Sequence, residues 1–351
     1  MQHITFEGTH FEMGFHWGSL LAKRGIFILE RIPFPLTEER AAFAEHCLPA
    51  YQAYFPQILE EIQGIALGQD CSALSLQAAL FSMYALPPAC HCSCFVVSNK
   101  EHILFGRNRD FLTGLEGDCS NMLYRFPRES NSYSFMGDTT SFIQMEDGVN
   151  EAGLAVGLAS IYPPSIQPGM NAGMLLRFFL EKCATVQEAL EWSARLPIAS
   201  AQTFTIADRT GKIAQLECFA GGAEVRFPTE ERPFVCDANL FHAPSLREKN
   251  VPAIDTWQAQ RRYETIECFL SRSAREMDLA AAQGLLAGEH GFLCQYDPST
   301  GRDTLWSVAT DLGRGLLFRA EGNPSRCAFT RDGHFCWYKL IFHKNAPFRA
   351  L

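Results

Sequence analysis

Three cysteines and a histidine stand within five residues of the chain, in the segment 90–94 (CHCSC). Such a cluster could bind a metal, pack as ordinary side chains on one strand, or supply a nucleophile. Zinc is disfavoured because Cys-x-Cys-x-Cys is not the spacing of a zinc knuckle, and no Cys-x-x-Cys pair occurs elsewhere. On a strand, alternation would place the three thiols on one face and His91 with Ser93 on the other. The residues that follow favour the third interpretation, a nucleophile at the start of a strand.

A group of charged residues follows at a distance that a β-hairpin can close. Arg107 lies fifteen residues after Cys92, within 106–110 (GRNRD), and residues 98–101 (SNKE) have the composition of a turn between them. Two antiparallel strands joined there would bring Arg107 and Asp110 back beside Cys92. An arginine near a thiol favours the thiolate, and a carboxylate can hold an adjacent amine. The spacing therefore predicts a nucleophile with an electrostatic partner and an orienting acid.

The composition excludes several classes of partner. The chain has 351 residues, of which 47% are hydrophobic and 20% charged, so it can bury a sizeable core. Its formal net charge of −9 predicts no basic face for nucleic acid or anionic lipid and favours a small-molecule or peptide-like partner. No apolar run reaches the roughly 18 residues of a membrane helix. Because the N-terminus lacks the features of an export signal, the thirteen cysteines predict a reducing, cytoplasmic setting with most thiols buried.

The elements that must position these residues change character along the chain. From residue 11 to about residue 85 the pattern is helical, and Gly14 and Gly18 lie one turn apart. Apolar residues recur at helical spacing in three stretches, 41–53, 54–67 and 74–84. Pro87 and Pro88 end this zone because proline cannot continue a helix.

Beyond the prolines the apolar period becomes that of strands, with Gly-, Asn- and Asp-containing turn signals between the runs. Strands are predicted at 94–97, 103–105, 134–136, 154–158, 203–206, 213–217, 304–310 and 316–320. Two helices are predicted among them, over 174–190 and 257–270. Neighbouring strands with helices gathered in blocks indicate an α+β fold of antiparallel sheets covered by helices.

The order of the motifs resembles that of a known superfamily. Residues 92–97 (CSCFVV), 106–110 (GRNRD) and 147–154 (DGVNEAGL) are similar to three successive motifs of the linear-amide N-terminal nucleophile (Ntn) hydrolases, the choloylglycine hydrolase superfamily. Later segments resemble its further motifs: 206–217, 238–242, 262–263, 304–307 and 322–324. The resemblance covers nearly the whole chain, so the order is more specific than any one motif. It implies a four-layer αββα sandwich of two antiparallel sheets covered by helices.

The first part of the chain resembles one branch of that superfamily. Residues 8–18 and 61–68 are similar to the leader that precedes the nucleophile in acyl-coenzyme A:isopenicillin N (6-aminopenicillanic acid) acyltransferases. Bile salt hydrolases, another branch, generally lack such a long leader. The resemblance implies a mostly helical, propeptide-like leader over residues 1–91 and an Ntn-hydrolase catalytic domain over residues 92–351.

In such enzymes the nucleophile must become the N-terminal residue, because its own α-amine, with a pKa near ~8, is the general base. The resemblance therefore implies autoproteolysis between His91 and Cys92. The thiol of Cys92 would attack the preceding carbonyl, and water would open the resulting thioester. Alignment with the family pattern is what selects Cys92 over Cys94 and Cys90. His91 stands where the acyltransferase pattern commonly has glycine.

The resemblance also implies roles for the other site residues. Arg107 would stabilise the thiolate, and Asp110 would accept a hydrogen bond from the freed amine. Asn150 and Asn239 would form the oxyanion hole, where aligned donors lower the barrier by roughly a few kcal/mol. Arg262 would order the site or the substrate. The ordinary alternatives are a strand-end charge for Arg107 and a turn cap for Asp110. For Asn150 and Asn239 the alternative is a plain turn asparagine, and for Arg262 it is an exposed helix arginine.

Two aromatic residues are candidates for an apolar acyl pocket, Phe111 after the acid and Tyr162 after a predicted strand; plain core packing is the alternative for both. No cofactor and no metal are expected, and acyl-coenzyme A is a candidate substrate. The expected partners are a small-molecule amide or acyl donor and an amine acceptor, with neither nucleic acid nor membrane. Homo-oligomerisation is left open. The implied function is an amidase or acyltransferase; the alternatives are an uncleaved binding protein on the same scaffold and an amidase of the penicillin V or bile-salt type.

Overall fold

The structure is a computed structural model that describes residues 1–86, 91–252, 254–335 and 337. The described part of residues 1–91, which we call the leader for reference, begins with strand β1 (Gln2–Glu7) and continues with four helices, α1 (His10–Lys23), α2 (Glu38–Tyr54), α3 (Pro56–Gln69) and α4 (Ala73–Ser82). The helical pattern predicted for this part of the chain is therefore confirmed. Strand β1 is an addition to that pattern.

The rest of the chain alternates hairpins with pairs of helices. Its strands are β2 (His91–Ser98), β3 (Ile103–Leu112), β4 (Ser120–Arg125), β5 (Phe135–Thr139), β6 (Asp147–Asn150), β7 (Leu154–Ile161), β8 (Ala201–Asp208), β9 (Ile213–Phe219), β10 (Gly222–Arg226), β11 (Phe234–Asp237), β12 (Arg302–Asp311), β13 (Leu316–Ala320) and β14 (Thr330–Asp332). Its helices are α5 (Ala172–Lys182), α6 (Val186–Ser193), α7 (Ala259–Ser273) and α8 (Leu279–Leu286).

These strands form two sheets that pack face to face. The first has eight strands in the order β1-β4-β5-β6-β7-β8-β9-β10, and the second has six in the order β11-β2-β3-β12-β13-β14. All pairs are antiparallel except β1 with β4, which is parallel. Helices α5 and α6 cover the first sheet, and α7 and α8 cover the second. The predicted αββα sandwich is confirmed.

Two helix predictions need correction at their ends. The stretch 174–190 is two helices, α5 and α6, because Cys183 is extended and the side chain of Thr185 caps α6 by accepting from the Glu188 amide. The helix predicted from residue 257 begins at Ala259. Trp257 and Gln258 precede it with positive φ values of 50° and 58°, which an α-helix does not allow.

The leader helices α1 and α3 cross at a distance that only glycine permits. A Cβ atom on Gly14 would lie 2.1 Å from the Glu61 carbonyl oxygen, and one on Gly64 would lie 2.2 Å from the Phe11 carbonyl oxygen. Both distances are far inside van der Waals contact. The leader glycines are therefore required for the packing of the two helices.

A buried ionic cluster joins the leader to the sandwich. Arg177 Nη2 lies 2.7 Å from Glu61 Oε2, and Arg177 Nε lies 2.6 Å from Glu181 Oε1. His10 Nε2 lies 2.8 Å from Glu181 Oε2, and the Tyr124 hydroxyl donates to Glu61 Oε1 at 3.1 Å. All five side chains are buried. We call these five residues the leader cluster; two of them, His10 and Glu61, belong to the leader.

Within the described residues, no helix combines the length and the apolar character needed to cross a membrane.

Candidate active site

Strands β2 and β3 form the hairpin that the spacing predicts. His91 pairs with Asp110, Cys92 with Arg109, and Cys94 with Arg107. Because side chains alternate along a strand, Cys92, Arg107 and Arg109 lie on the face that meets the eight-stranded sheet. Asp110 lies on the other face, toward α7. The site is thus divided between the two faces of one hairpin.

Arg107 binds the thiol of Cys92 directly. Its Nη2 lies 2.9 Å from Cys92 Sγ, and its Nη1 donates to Asp147 Oδ2 at 2.7 Å. The Leu158 carbonyl accepts from Nε and Nη2 and fixes the guanidinium. Burial would lower the pKa of Arg107, but the charges of Cys92, Asp147 and Glu146 outweigh it and raise the pKa. The group stays cationic, and a fixed cation beside sulfur favours the thiolate.

Asn239 and Arg262 hold the main chain of Cys92. The Cys92 amide donates to Asn239 Oδ1 at 2.8 Å, and Arg262 Nη1 donates to the Cys92 carbonyl at 2.5 Å. Arg262 also donates to Ser93 Oγ at 2.8 Å and to Asn239 Oδ1 at 2.9 Å. Asn239 in turn donates to the Ser160 carbonyl on β7. Arg262 is fully buried, so it is not the exposed helix arginine that was the ordinary alternative.

Asp110 is buried beneath the same hairpin. Thr304 Oγ1 donates to Asp110 Oδ1 at 2.6 Å, and the Tyr296 hydroxyl donates to Oδ2 at 3.1 Å. Arg262 Nη1 lies 3.5 Å from Oδ2. Burial raises the pKa of Asp110 above its ordinary value, although Arg262 and the two hydroxyls oppose the rise. In this structure the Cys92 amide is bonded to Asn239, so the role of Asp110 toward a freed amine stays a prediction.

Asn150 ends β6, where its Nδ2 donates to the carbonyls of Leu180 at 2.9 Å and Cys183 at 2.7 Å. Its Oδ1 accepts from the amides of Ala152 and Leu154. Both side-chain amide hydrogens therefore join the β6–β7 turn to α5 in this structure. The expected role of Asn150 as an oxyanion-hole donor stays a prediction.

The two predicted substrate-binding residues differ in position. Phe111 borders an apolar cavity of about 90 Å³ next to the hairpin. Tyr162 follows the last residue of β7, is half-buried, and does not border that cavity. The pocket hypothesis therefore gains support for Phe111 only.

Two acidic residues that bind the site arginines were not predicted from the sequence. Asp147 accepts from Arg107 and also from Trp306 Nε1 at 3.0 Å, and burial with the nearby Asp138 carboxylate raises the pKa of Asp147. Glu146 is buried in an ion pair with Arg109. The sequence contains a signal for these acids, because they are adjacent and Asp147 begins the segment 147–154. Nothing in the sequence shows which arginine each carboxylate binds.

Glu217 positions Asn239 from a distance. Its Oε2 accepts from the amides of His242 and Ala243, both at 2.9 Å. These bonds fix the segment that follows β11 and carries Asn239. Glu217 ends the segment 206–217, which resembles a motif of the superfamily. The physical role of that motif is therefore to hold the segment that carries Asn239.

Metal-ligating groups occur away from the thiol. His3, Asp332 and His334 bring one ligand atom each within 4.8 Å of one another at exposed or half-exposed positions. The cysteine cluster considered for zinc includes Cys90, which lies outside the described residues. The Arg107 guanidinium beside Cys92 Sγ disfavours a second cation there. Most of the described cysteines are buried.

A family model described as acyl-coenzyme A:6-aminopenicillanic acid acyl-transferase matches residues 97–326. The chain belongs to this family. The match begins just after Cys92 and contains Arg107, Asp110, Asn239 and Arg262. Membership confirms the resemblance noted in the sequence and the prediction of an enzyme of the amide hydrolase or acyltransferase class.

Individual proteins with similarity to this chain were also found. The 40 kDa form of acyl-coenzyme A:6-aminopenicillanic-acid-acyltransferase from Emericella nidulans is 26% identical over 294 residues, which are 75% of this chain and 76% of the relative. Penicillin V acylase from Agrobacterium tumefaciens is a structural neighbour with TM-score 0.48 and 19% identity. The superposed part covers 69% of this chain and 84% of the acylase chain. A mutant conjugated bile acid hydrolase from Clostridium perfringens has TM-score 0.46 and 15% identity, covering 70% of this chain and 97% of its own.

Proposed function

We propose that the protein is a cysteine-nucleophile Ntn enzyme that accepts an acyl group from a linear amide or acyl thioester as an acyl-Cys92 intermediate. The observation that carries the proposal is the 2.9 Å contact between Arg107 Nη2 and Cys92 Sγ. A buried guanidinium on a buried thiol supplies the counter-charge that a thiolate nucleophile needs. Asn239 and Arg262 support the same role because they fix the amide and the carbonyl of that residue.

The first reaction in this proposal is maturation. The Cys92 sulfur attacks the His91 carbonyl carbon, the His91–Cys92 C–N bond breaks, and the released nitrogen takes up a proton to become the α-amine. Water then hydrolyses the thioester, which restores the thiol and leaves a carboxyl group on His91. Arg109 Nη1 lies 3.5 Å from the His91 carbonyl oxygen and supports the charge that develops there. Residues 1–91 and 92–351 would then be separate chains.

The second reaction uses the new amine as general base. It takes the thiol proton as sulfur attacks the acyl carbon, and the donor's amine or thiol departs with a proton. The acyl group then passes to water in an amidase or to an amine in an acyltransferase. The family name points to an acyl-coenzyme A donor and an amine acceptor, so we favour transfer over hydrolysis of the penicillin V or bile-salt type.

A second candidate is an uncleaved binding protein on the same scaffold. It is favoured by the geometry of His91, which continues β2 in register with Asp110 and stacks on Trp257 with ring centroids 4.3 Å apart. From His91 to Ser98 the described chain is an extended strand, and the two side chains that flank the His91–Cys92 peptide bond are buried.

Intact mass spectrometry under denaturing conditions tests the choice. Two fragments that break before Cys92 support the enzyme, and a single species of 39.3 kDa supports the binding protein. Cys92→Ala should abolish the break, whereas Cys94→Ala, a matched thiol on the same face of β2, should retain it. Cleavage that survives Cys92→Ala would assign the nucleophile elsewhere. Acyl thioesters should then label Cys92 in the wild-type protein.

A further inference from the structure

The apolar cavity beside the hairpin has two walls from different parts of the chain. Met122, Phe111 and Phe142 form the wall that belongs to the sandwich. The facing wall belongs to the leader. It includes Trp17, Ile28 and Phe34.

The cavity adjoins the proposed reaction centre. Phe111 directly follows Asp110 on β3, and Thr140 also borders the cavity. Thr140 Oγ1 accepts from Arg109 Nη2 at 3.1 Å, and Arg109 Nη1 lies 3.5 Å from the His91 carbonyl oxygen. A single guanidinium therefore links the cavity wall to the carbonyl that precedes Cys92. Cys92 does not itself line the cavity, so an acyl group on its sulfur would reach the cavity by extending along this guanidinium.

The lining and the volume define the chemistry of a ligand. Aromatic and aliphatic side chains dominate both walls, as is usual where a small molecule is buried. A cavity that holds benzene in another protein measures about 150 Å³, so 90 Å³ admits a compact group but neither a long chain nor a fused ring system. Trp17 is 5% exposed, and its indole N–H has no acceptor among the described residues. A single acceptor at the far end of the ligand would satisfy it.

We propose that this cavity is the acyl pocket, that it takes a compact apolar acyl group, and that the leader wall determines which acyl groups fit. The inference rests on the proposed function, because the acyl group must be attached to Cys92. It also requires the leader to remain bound after cleavage. The leader cluster provides that attachment, since His10 and Glu61 share buried ion pairs with α5.

Phe34 offers the safest test because it borders the cavity but is only half-buried, so its replacement removes little of the core. Acyl thioesters of N-acetylcysteamine with straight chains of increasing length would be the probes, and the rate of adduct formation on Cys92 would be followed by intact mass. Phe34→Ala should raise the ratio of long-chain to short-chain rates by about tenfold, and Phe34→Trp should lower it. Phe227→Ala, an exposed phenylalanine, is the matched control.

The outcomes separate the two proposals. Adducts on Cys92 whose chain-length ratio is the same in the wild type and in both Phe34 variants would overturn the leader-wall inference and leave the proposed function standing. The absence of both cleavage and any adduct in the wild type would overturn the proposed function and the pocket with it. A second check uses Trp17→Phe, which should erase any preference for an acyl group with a distal acceptor over its plain hydrocarbon analogue. A preference that survives would refute the role of the indole.

Discussion

The leader cluster and the surroundings of Cys92 are both buried and both centred on an arginine, yet the two arginines differ in what they bind. In the leader cluster, Arg177 donates to Glu61, Glu181 and the Ile143 carbonyl, all oxygen acceptors. Arg107 donates to Asp147 and also to the sulfur of Cys92. An arginine whose partners are carboxylates holds elements together. An arginine with an N–H on a thiol stabilises a charge that appears only when the thiol ionises, which is a chemical function.

The largest expected effect separates the clusters by stability. Arg177→Met leaves Glu61 and Glu181 buried without their cation and should lower the free energy of unfolding by about 3–5 kcal/mol. Arg128→Met, at an exposed arginine, should change it by no more than about 0.5 kcal/mol. Urea unfolding would be measured in the Cys92→Ala background, where leader and sandwich stay one chain. A loss below about 1 kcal/mol would show that the leader cluster contributes little to holding the leader.

The next effect is on rate. Lysine at position 107 keeps the charge but presents it as a point, so it cannot bind Asp147 and Cys92 in the geometry of the planar guanidinium. Arg107→Lys should slow adduct formation on Cys92 by about 100-fold, equivalent to about 2.7 kcal/mol of barrier. Arg177→Lys is the control from the other cluster and should leave the rate per folded molecule unchanged. Equal slowing by both substitutions would end the distinction between the clusters. Time-resolved intact mass provides the rates.

A third prediction concerns the leader packing that places Glu61 in its cluster. Gly14→Ala should cost about 1–3 kcal/mol, because its Cβ would overlap the Glu61 carbonyl oxygen and α1 must move away from α3. Gly114→Ala, where a Cβ would meet no atom within 4 Å, is the control and should be close to neutral. Urea midpoints in the same Cys92→Ala background give both values. Equal urea midpoints for the two variants would mean that α1 and α3 can move apart at little energetic cost.

The smallest expected effect is pH-dependent. Burial, aided by Arg226 and Arg247, lowers the pKa of His242 to about 3, whereas an unfolded histidine has a pKa of about 6.5. The unfolded chain therefore binds a proton that the folded chain excludes, and stability is lost as pH falls below 6.5. From pH 6.5 to 5.5 the loss should be about 1 kcal/mol from this group. His242→Phe should reduce the loss by that amount.

The leader cluster should respond in a lower pH range. Burial opposes ionisation of Glu181, but His10 and Arg177 outweigh it and lower the pKa of Glu181 to about 2. Stability from this carboxylate is present above its unfolded pKa and is lost as pH falls from about 4.5 toward 2. Urea unfolding at a series of pH values should therefore show a loss from His242 that begins near pH 6.5 and a further loss from Glu181 that begins only near pH 4.5, with overlap down to about pH 3. A Glu181 contribution that begins as early as that of His242 would contradict the assignment.

Local features of the fold could be predicted from the sequence. The β2–β3 hairpin follows from its turn signal, but the spacing that returns Arg107 and Asp110 toward Cys92 did not separate the two faces on which these side chains lie. The leader helices follow from apolar spacing. Strand β1 could not be predicted, because its parallel pairing with β4 joins residues far apart in the chain and leaves no turn signal between them.

The same limit applies to the partners of individual site residues. Asn150 has the residue type of an oxyanion donor and sits in a matching motif, but the carbonyls that occupy its amide come from Leu180 and Cys183, in and just after α5. Asn239 lies in the segment 238–242 that resembles a family motif, and its Oδ1 accepts from the Cys92 amide. Thr304 and Tyr296, which complete the surroundings of Asp110, lie nearly two hundred residues downstream of it. Only the folded chain shows that they meet.

Strand β1 makes part of the leader the edge strand of the eight-stranded sheet, with six backbone positions paired from Gln2 to Glu7. If the chain is cut before Cys92, this strand would connect two molecules rather than two parts of one. Unfolding would then separate the pieces, and reassembly would become a second-order event whose rate depends on protein concentration. Such an enzyme would persist through the slowness of its dissociation, so its working lifetime would be a kinetic property and not an equilibrium one.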